Sequence, residues 1–238
     1  MKLTKNFYEN QAWENKKYVC GIDEVGRGCL AGPVVTAACI LPLSSSYELL
    51  KDSKILTQQE RETAFSWIEK NCFYSVAISD HKKIDSLNIY QTTKITMEKA
   101  LMQLFYTMPL NIKNLEFVLT DAMPIDISFL KKDWIPDQVG DDTERNNLIE
   151  NPKLFYFPKG ESISQSIAAA SIVAKVFRDN LMNKIDKIFP AYKFNSHKGY
   201  GTQDHVSAIQ NSGVTIIHRK TFLNNIVNKN GEKQNSIF

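Results

Sequence analysis

The sequence predicts an α/β fold, a mixed sheet flanked by helices, and three observations carry that expectation. Apolar and β-branched runs bounded by turn residues mark strands at 18–23, 33–41, 72–79, 115–120 and 154–157. Apolar residues recurring at helical spacing mark helices at 58–70, 89–107, 162–187 and 203–211. The order is strand-rich at first and then alternates strand with helix, as a mixed sheet covered by helices requires.

Each element has a local signal. Alternation along 18–24 puts Asp23 at the C-terminal end of a buried strand, and Gly32-Pro33 marks the turn into the second. The run LEFVLTD (115–121) ends in the same way, on Asp121. Residues 131–152 are polar, acidic and aperiodic, so they read as a surface insertion between two strands. In the longest helix Ser162 and Gln165 fit a capping box, which sets Glu161 just before the first turn. The small residues Ala168 to Ser171 suit close packing on the sheet and aim Glu161 inward.

Composition excludes several classes. Of 238 residues, 43% are hydrophobic and 23% charged, the balance of a soluble globular protein with a real core. No stretch approaches the roughly 20 apolar residues that cross a bilayer. The N-terminus has no apolar signal region, so a cytoplasmic location and no membrane contact are expected. Cys20, Cys29, Cys39 and Cys72 form no C-x-x-C pair and read as reduced core thiols, neither a disulfide framework nor a zinc site. The first 152 residues carry 17 Lys+Arg against 21 Asp+Glu, and the rest carry 12 against 5. A basic C-terminal third suits contact with phosphate, and equally a solvated basic face.

The acids carry the sharper signal. If the strands ending at Asp23 and Asp121 are parallel neighbours, their carboxylates meet at one sheet edge, where α/β proteins place ligands. Like charges that close raise each other's pKa unless a cation intervenes. Oxygen donors suit Mg²⁺ or Mn²⁺, and two such ions about 4 Å apart make a phosphodiester cleavage site. Taken singly, a strand-terminal Asp also serves as a turn former and a Glu before a helix as a dipole partner. The adjacent pair Asp23-Glu24, running into Gly26-Arg27-Gly28, is more specific.

GIDEVGRGCLAGPVV (21–35) resembles the signature of ribonuclease HII, the type 2 ribonuclease H. The likeness recurs in order in KDSKILT (51–57), LNIYQTTKITMEKAL (87–101), VLTDAMP (118–124), KGESISQSIAAASIVAKVFRD (159–179), HKGYGTQDH (197–205) and IHRKTF (217–222), and so spans about 18–222. It implies a ribonuclease H-like fold with a five-stranded mixed sheet and a small helical C-terminal part. The catalytic domain then covers 1–190, the C-terminal substrate-binding part 191–226 and a flexible tail 227–238. The implied activity is endonucleolytic cleavage of the RNA strand of RNA/DNA hybrids and at ribonucleotides embedded in duplex DNA, with Mg²⁺ or Mn²⁺ in a two-metal site, leaving 3′-hydroxyl and 5′-phosphate.

Matched position by position, the resemblance makes Asp23, Glu24, Asp121 and Glu161 both catalytic residues and metal ligands. It makes Gly26, Arg27 and Gly28 the grip on the ribonucleotide and its phosphate, and Tyr200 the ring at the RNA–DNA junction. Lys54, Arg219 and Lys220 fall near the substrate backbone. The chemistry agrees: glycines let a backbone approach the 2′-hydroxyl, and an arginine between them can pair with phosphate. Two positions depart from the pattern. Glu161 stands where Asp is usual, which bears on the metal preference, and Cys29 replaces a proline, which implies a looser turn.

His197 and His205 read as loop histidines engaged in ordinary hydrogen bonds. The terminal QNSIF (234–238) resembles peptides that dock into bacterial sliding clamps, which makes a sliding clamp a candidate partner, and the chain is expected to be a monomer. Two rival readings stay open, a metal-dependent DNA nuclease of the same fold and a non-catalytic nucleic-acid-binding module. The first would not need a 2′-hydroxyl, and the second would not need clustered acids that repel phosphate.

Overall fold

The computed structural model describes residues 4–108, 114–130 and 152–227. The insertion at 131–152 and the tail at 227–238, QNSIF included, lie almost wholly outside these residues. Five strands, β1 (Tyr18–Val25), β2 (Val34–Ile40), β3 (Phe73–Ser79), β4 (Leu115–Asp121) and β5 (Lys153–Phe157), form one sheet in the order β3-β2-β1-β4-β5. β1–β2 and β2–β3 are antiparallel, whereas β1–β4 and β4–β5 are parallel. The expected mixed sheet is therefore present, with every strand within two residues of its expected bounds.

The described helices are α1 (Phe7–Glu14), α2 (Gln58–Asn71), α3 (His81–Thr107), α4 (Gln165–Asp186), α5 (Phe194–His197), α6 (Gln203–Ser212) and α7 (Asn224–Val227). Strand alternation divides the core between the two faces of the sheet. Cys20, Ile22, Ala38 and Ile40 pack on one side against Met97, Leu101 and Leu104 of α3. Val35, Ala37 and Cys39 pack on the other against Ala64 and Ile68 of α2 and Ala168–Ala170 of α4. Gly21 faces α4, and a Cβ there would stand 2.1 Å from the Ser166 carbonyl carbon, so only glycine lets helix and strand approach this closely. All four cysteines are free thiols.

Three boundaries correct the sequence reading. α1 was not expected; it seats Tyr8 and Ala12 on Val19, Phe117 and Leu119. α3 begins at His81 and kinks at Asn88 (φ 67°), where the Asn88 side chain caps Gln91 N–H at 3.1 Å. The expected start at 89 is therefore the start of the second segment. α4 is capped by Ser164, which accepts from Ile167 N–H at 3.1 Å, and the expected Ser162/Gln165 box does not form. Glu161 instead lies in a separate 3-10 turn, Gly160–Ser162. Beyond α4, Tyr192, Phe194, Ile209 and Leu223 build a small core of their own, closed onto the main body by Leu30, Ala31 and Met182.

Candidate active site

Because β1 and β4 run parallel, with Ile22 paired to Thr120, the acids that follow stand side by side. Asp23 is buried, and its Oδ1 accepts from Glu24 N–H at 2.7 Å. Burial, Glu24 and Asp121 together push the Asp23 carboxyl well above the usual carboxylate range. Glu24 is raised as well, by burial first, against the pull of Arg27, whose guanidinium donates to Oε1 at 3.2 Å. Asp121 Oδ1 accepts from Gly160 N–H at 2.9 Å, and this bond draws the Glu161 turn against the end of β4. Glu161 is buried, with Lys54 Nζ 3.6 Å from its Oε1.

Lys54 feels Glu161, Asp23 and Asp121 together, so all three acids share one electrostatic neighbourhood. Glu24 Oε2 and Glu161 Oε2 are buried without a hydrogen-bond partner. Mutually repelling carboxylates with orphaned oxygens fit hard divalent cations such as Mg²⁺ or Mn²⁺. Among the described residues no set of three acidic, histidine or cysteine side chains is already at metal-ligand spacing, so the acids are neighbours but not a closed cage.

In front of Asp23 and Glu24 opens a cleft of about 550 Å³. Gly26, Arg27 and Gly28 form one wall, Lys54 and Ser53 another, and Tyr200 stands at the rim. Gly26 takes φ 93°, and a Cβ there would lie 2.3 Å from Arg178 Nε, whereas a Cβ on Gly28 would meet nothing within 4 Å. The turn is therefore packed behind and open in front. Tyr200 is 38% exposed, with the Arg178 guanidinium 5.8 Å from its ring centre. Burial, followed by Cys29, pushes its hydroxyl up to about 12.

Cys29 does not leave the turn slack. It bridges to Tyr200, its N–H reaches Gly26 O at 3.5 Å, and its thiol meets Lys198 O at 3.8 Å. A proline would lack that N–H.

The basic pair separates. Lys220 is exposed, and its N–H donates to Asp85 at 3.0 Å, which ties the C-terminal part to α3. Arg219 was expected near the substrate backbone, but it is fully buried behind the turn. Other cleft residues carried no sequence signal of their own: Arg61, Lys175, and the Ser53–Ser171 hydroxyl pair at 2.9 Å, which reaches Asp23 through Ser171. Ser171 and Lys175 are one helical turn apart on α4, and that spacing could have flagged them.

The loop histidines are buried rather than facing solvent. His197 and His205 stack at 4.4 Å, and His205 Nε2 lies 3.1 Å from His218 Nε2. His218 Nδ1 accepts from Thr215 N–H at 2.9 Å, so its proton sits on Nε2 and is donated to His205. His205 then donates from Nδ1 to the Tyr200 carbonyl at 2.9 Å. Burial first, then the neighbouring groups, lowers both His205 and His218 to about 4.

The unfolded chain takes up these protons near 6.5 and the folded pair only near 4, so this cluster loses stability as pH falls through that window. Long-range ¹⁵N–¹H NMR at pH 6 is expected to show both rings neutral, Nε2–H on His218 and Nδ1–H on His205. Titration of either ring near its ordinary value would contradict the arrangement.

A family model described as ribonuclease HII matches residues 20–225. The chain belongs to the ribonuclease HII family. The ribonuclease HII of Ruminiclostridium cellulolyticum is 41% identical over 222 residues, covering 92% of this chain and 76% of that one. Among solved structures, ribonuclease H2 from Pyrococcus horikoshii OT3 matches at TM-score 0.63 and 22% identity, over 89% of this chain and 98% of that one. The RNase HII of a PCNA:RNase HII complex from Archaeoglobus fulgidus matches at TM-score 0.61 and 22% identity, over 91% and 98%. These two show the same fold. As a ribonuclease HII family member, the chain is an endoribonuclease of the ribonuclease H type.

Proposed function

We propose that this family member cleaves the RNA strand of RNA/DNA hybrids, and duplex DNA at embedded ribonucleotides, leaving 3′-hydroxyl and 5′-phosphate ends. Asp23, Glu24, Asp121 and Glu161 would hold two divalent ions, Mg²⁺ or Mn²⁺. The observation that carries this reading is the pair of orphaned buried oxygens, on Glu24 and Glu161, beside the Asp23 and Glu24 carboxyls, both raised by burial first and by Asp121. When bound, the ions supply Lewis acidity for water activation and for stabilising the leaving oxygen.

The chain's own groups do the rest. Asp23 and Asp121 are fixed by backbone N–H groups of Glu24 and Gly160, so each carboxylate keeps one orientation. Arg27 and Lys54, which here pair with Glu24 and Glu161, are within reach of a phosphate entering the cleft. The open face of Gly28 admits a ribose against the backbone, and the Tyr200 ring offers a stacking surface at the rim.

A duplex carrying one ribonucleotide, an all-RNA/DNA hybrid and an all-DNA duplex, each with Mg²⁺ and with Mn²⁺, test this reading. Cleavage of the first two and sparing of the third is expected, and cleavage of the all-DNA duplex would overturn the ribose requirement. The tail QNSIF (234–238) supports a further partner, a sliding clamp, since the Archaeoglobus relative was solved with PCNA. Equal clamp capture with and without those residues would remove that partner. We also propose a cytoplasmic monomer. Separately, no helix among the described residues is long and apolar enough to cross a membrane.

A further inference from the structure

Two of the largest fully buried side chains, Arg178 and Arg219, are unused by the chemistry above. Among the described residues neither forms an ion pair with a carboxylate. Their donors go to backbone carbonyls. Arg178 reaches Pro33 O from Nε (3.0 Å), Lys198 O from Nη1 (2.8 Å) and Ala31 O from Nη2 (3.2 Å). Arg219 reaches Gly32 O from Nε (3.0 Å), Arg27 O from Nη1 (2.7 Å) and Gly26 O from Nη2 (2.7 Å).

A buried cation whose N–H donors go to carbonyl dipoles constrains the peptides that carry them. No peptide bond here is cis, so each amide points its N–H opposite to its C=O. The carbonyls of Gly26 and Arg27 point at Arg219, and the N–H groups of Arg27 and Gly28 therefore point away from it. Both residues line the cleft, and neither N–H finds an acceptor among the described residues. Arg178 adds the second half of the clasp, because Lys198 O belongs to the Tyr200 loop and Ala31 and Pro33 to the stretch that leads from the Gly-Arg-Gly turn into β2.

We propose that Arg178 and Arg219 are positioning residues that turn the Arg27 and Gly28 N–H groups into the cleft, as the donor pair that grips the ribose and its phosphate, and that lock the Tyr200 loop to them. This rests on the reading that the Gly-Arg-Gly turn contacts the ribonucleotide. Lysine at either position keeps the charge but cannot hold several carbonyls in one plane.

The test is affinity in EDTA, by fluorescence anisotropy, for a duplex with one ribonucleotide and for the same duplex in all-DNA form. Arg219→Lys and Arg178→Lys are each expected to lower the ratio of the two affinities about tenfold. A merely structural role would weaken both duplexes alike and leave the ratio unchanged, which would overturn the proposal. In the unsubstituted protein, the Arg27 and Gly28 amides are expected to gain hydrogen-exchange protection from the ribonucleotide duplex and not from the all-DNA one. Equal protection by both would overturn the proposal even if neither variant folds. A protein that never prefers the ribonucleotide duplex refutes the underlying reading instead.

Discussion

Asp23→Asn is expected to abolish cleavage while making the metal-free protein more stable. The Asp23 carboxyl is buried beside Glu24 and Asp121, and its pKa is raised well above the ordinary value, by burial first. Between the unfolded pKa of about 3.9 and the raised folded value, the folded chain binds a proton that the unfolded chain does not. Folding stability therefore falls as pH rises through that window. Asparagine keeps the shape and removes the charge, so the variant should gain about 1–3 kcal/mol without metal. Activity should fall by at least about a thousandfold, the scale lost when charge stabilisation of the transition state is removed.

Calorimetry in EDTA and in Mg²⁺ separates the two effects. Wild type should melt higher with the ion, and Asp23→Asn should melt higher without it and respond little to it. Hybrid binding should persist, since the turn and Tyr200 are untouched. A variant that still cleaves, or that gains as much from Mg²⁺ as wild type, would remove Asp23 from the metal site.

Most of the sheet was legible because its strands are β-branched runs that stop at acids or turn residues, and stops are what a single sequence states best. Asp23 and Asp121 were legible as a pair because Asp121 ends β4 and Asp23 stands two residues before the end of β1; the parallel pairing of the two strands is what the structure adds. Glu161 was placed correctly at the mouth of a helix, but through the wrong cap.

What was hidden depends on partners far along the chain. α1 has no apolar stripe and docks partly by Glu9, a buried acid that takes Ser164 Oγ–H and Ser166 N–H across more than 150 residues. Arg219 sits in a basic stretch that reads as substrate-facing, and its carbonyl partners lie near residue 27. The histidine stack joins side chains from α5, α6 and the loop beyond, and nothing in their local sequence signals burial.

Glu161→Gln is the second large effect expected. Among the described residues Glu161 Oε2 is buried without a partner, and Oε1 is held only by Lys54 at 3.6 Å, itself 77% exposed. Such a weak hold leaves the carboxylate free for a cation and makes Lys54 a stand-in charge that a divalent ion would replace. Glutamine fills the same space but loses the charge. Saturating the site should then need at least about a hundredfold more Mg²⁺, and cleavage at fixed Mg²⁺ should fall in proportion.

Isothermal titration of Mn²⁺ into the protein reads the loss without relying on turnover. Lys54→Ala should act in the opposite direction on metal affinity, because it removes a competitor, while weakening hybrid binding. Glu161→Asp isolates the extra methylene: if side-chain length sets the preference between ions, the Mg²⁺/Mn²⁺ activity ratio must move. An unchanged ratio would leave charge as the only thing Glu161 contributes, and would make its departure from the family's usual aspartate neutral for the choice of metal.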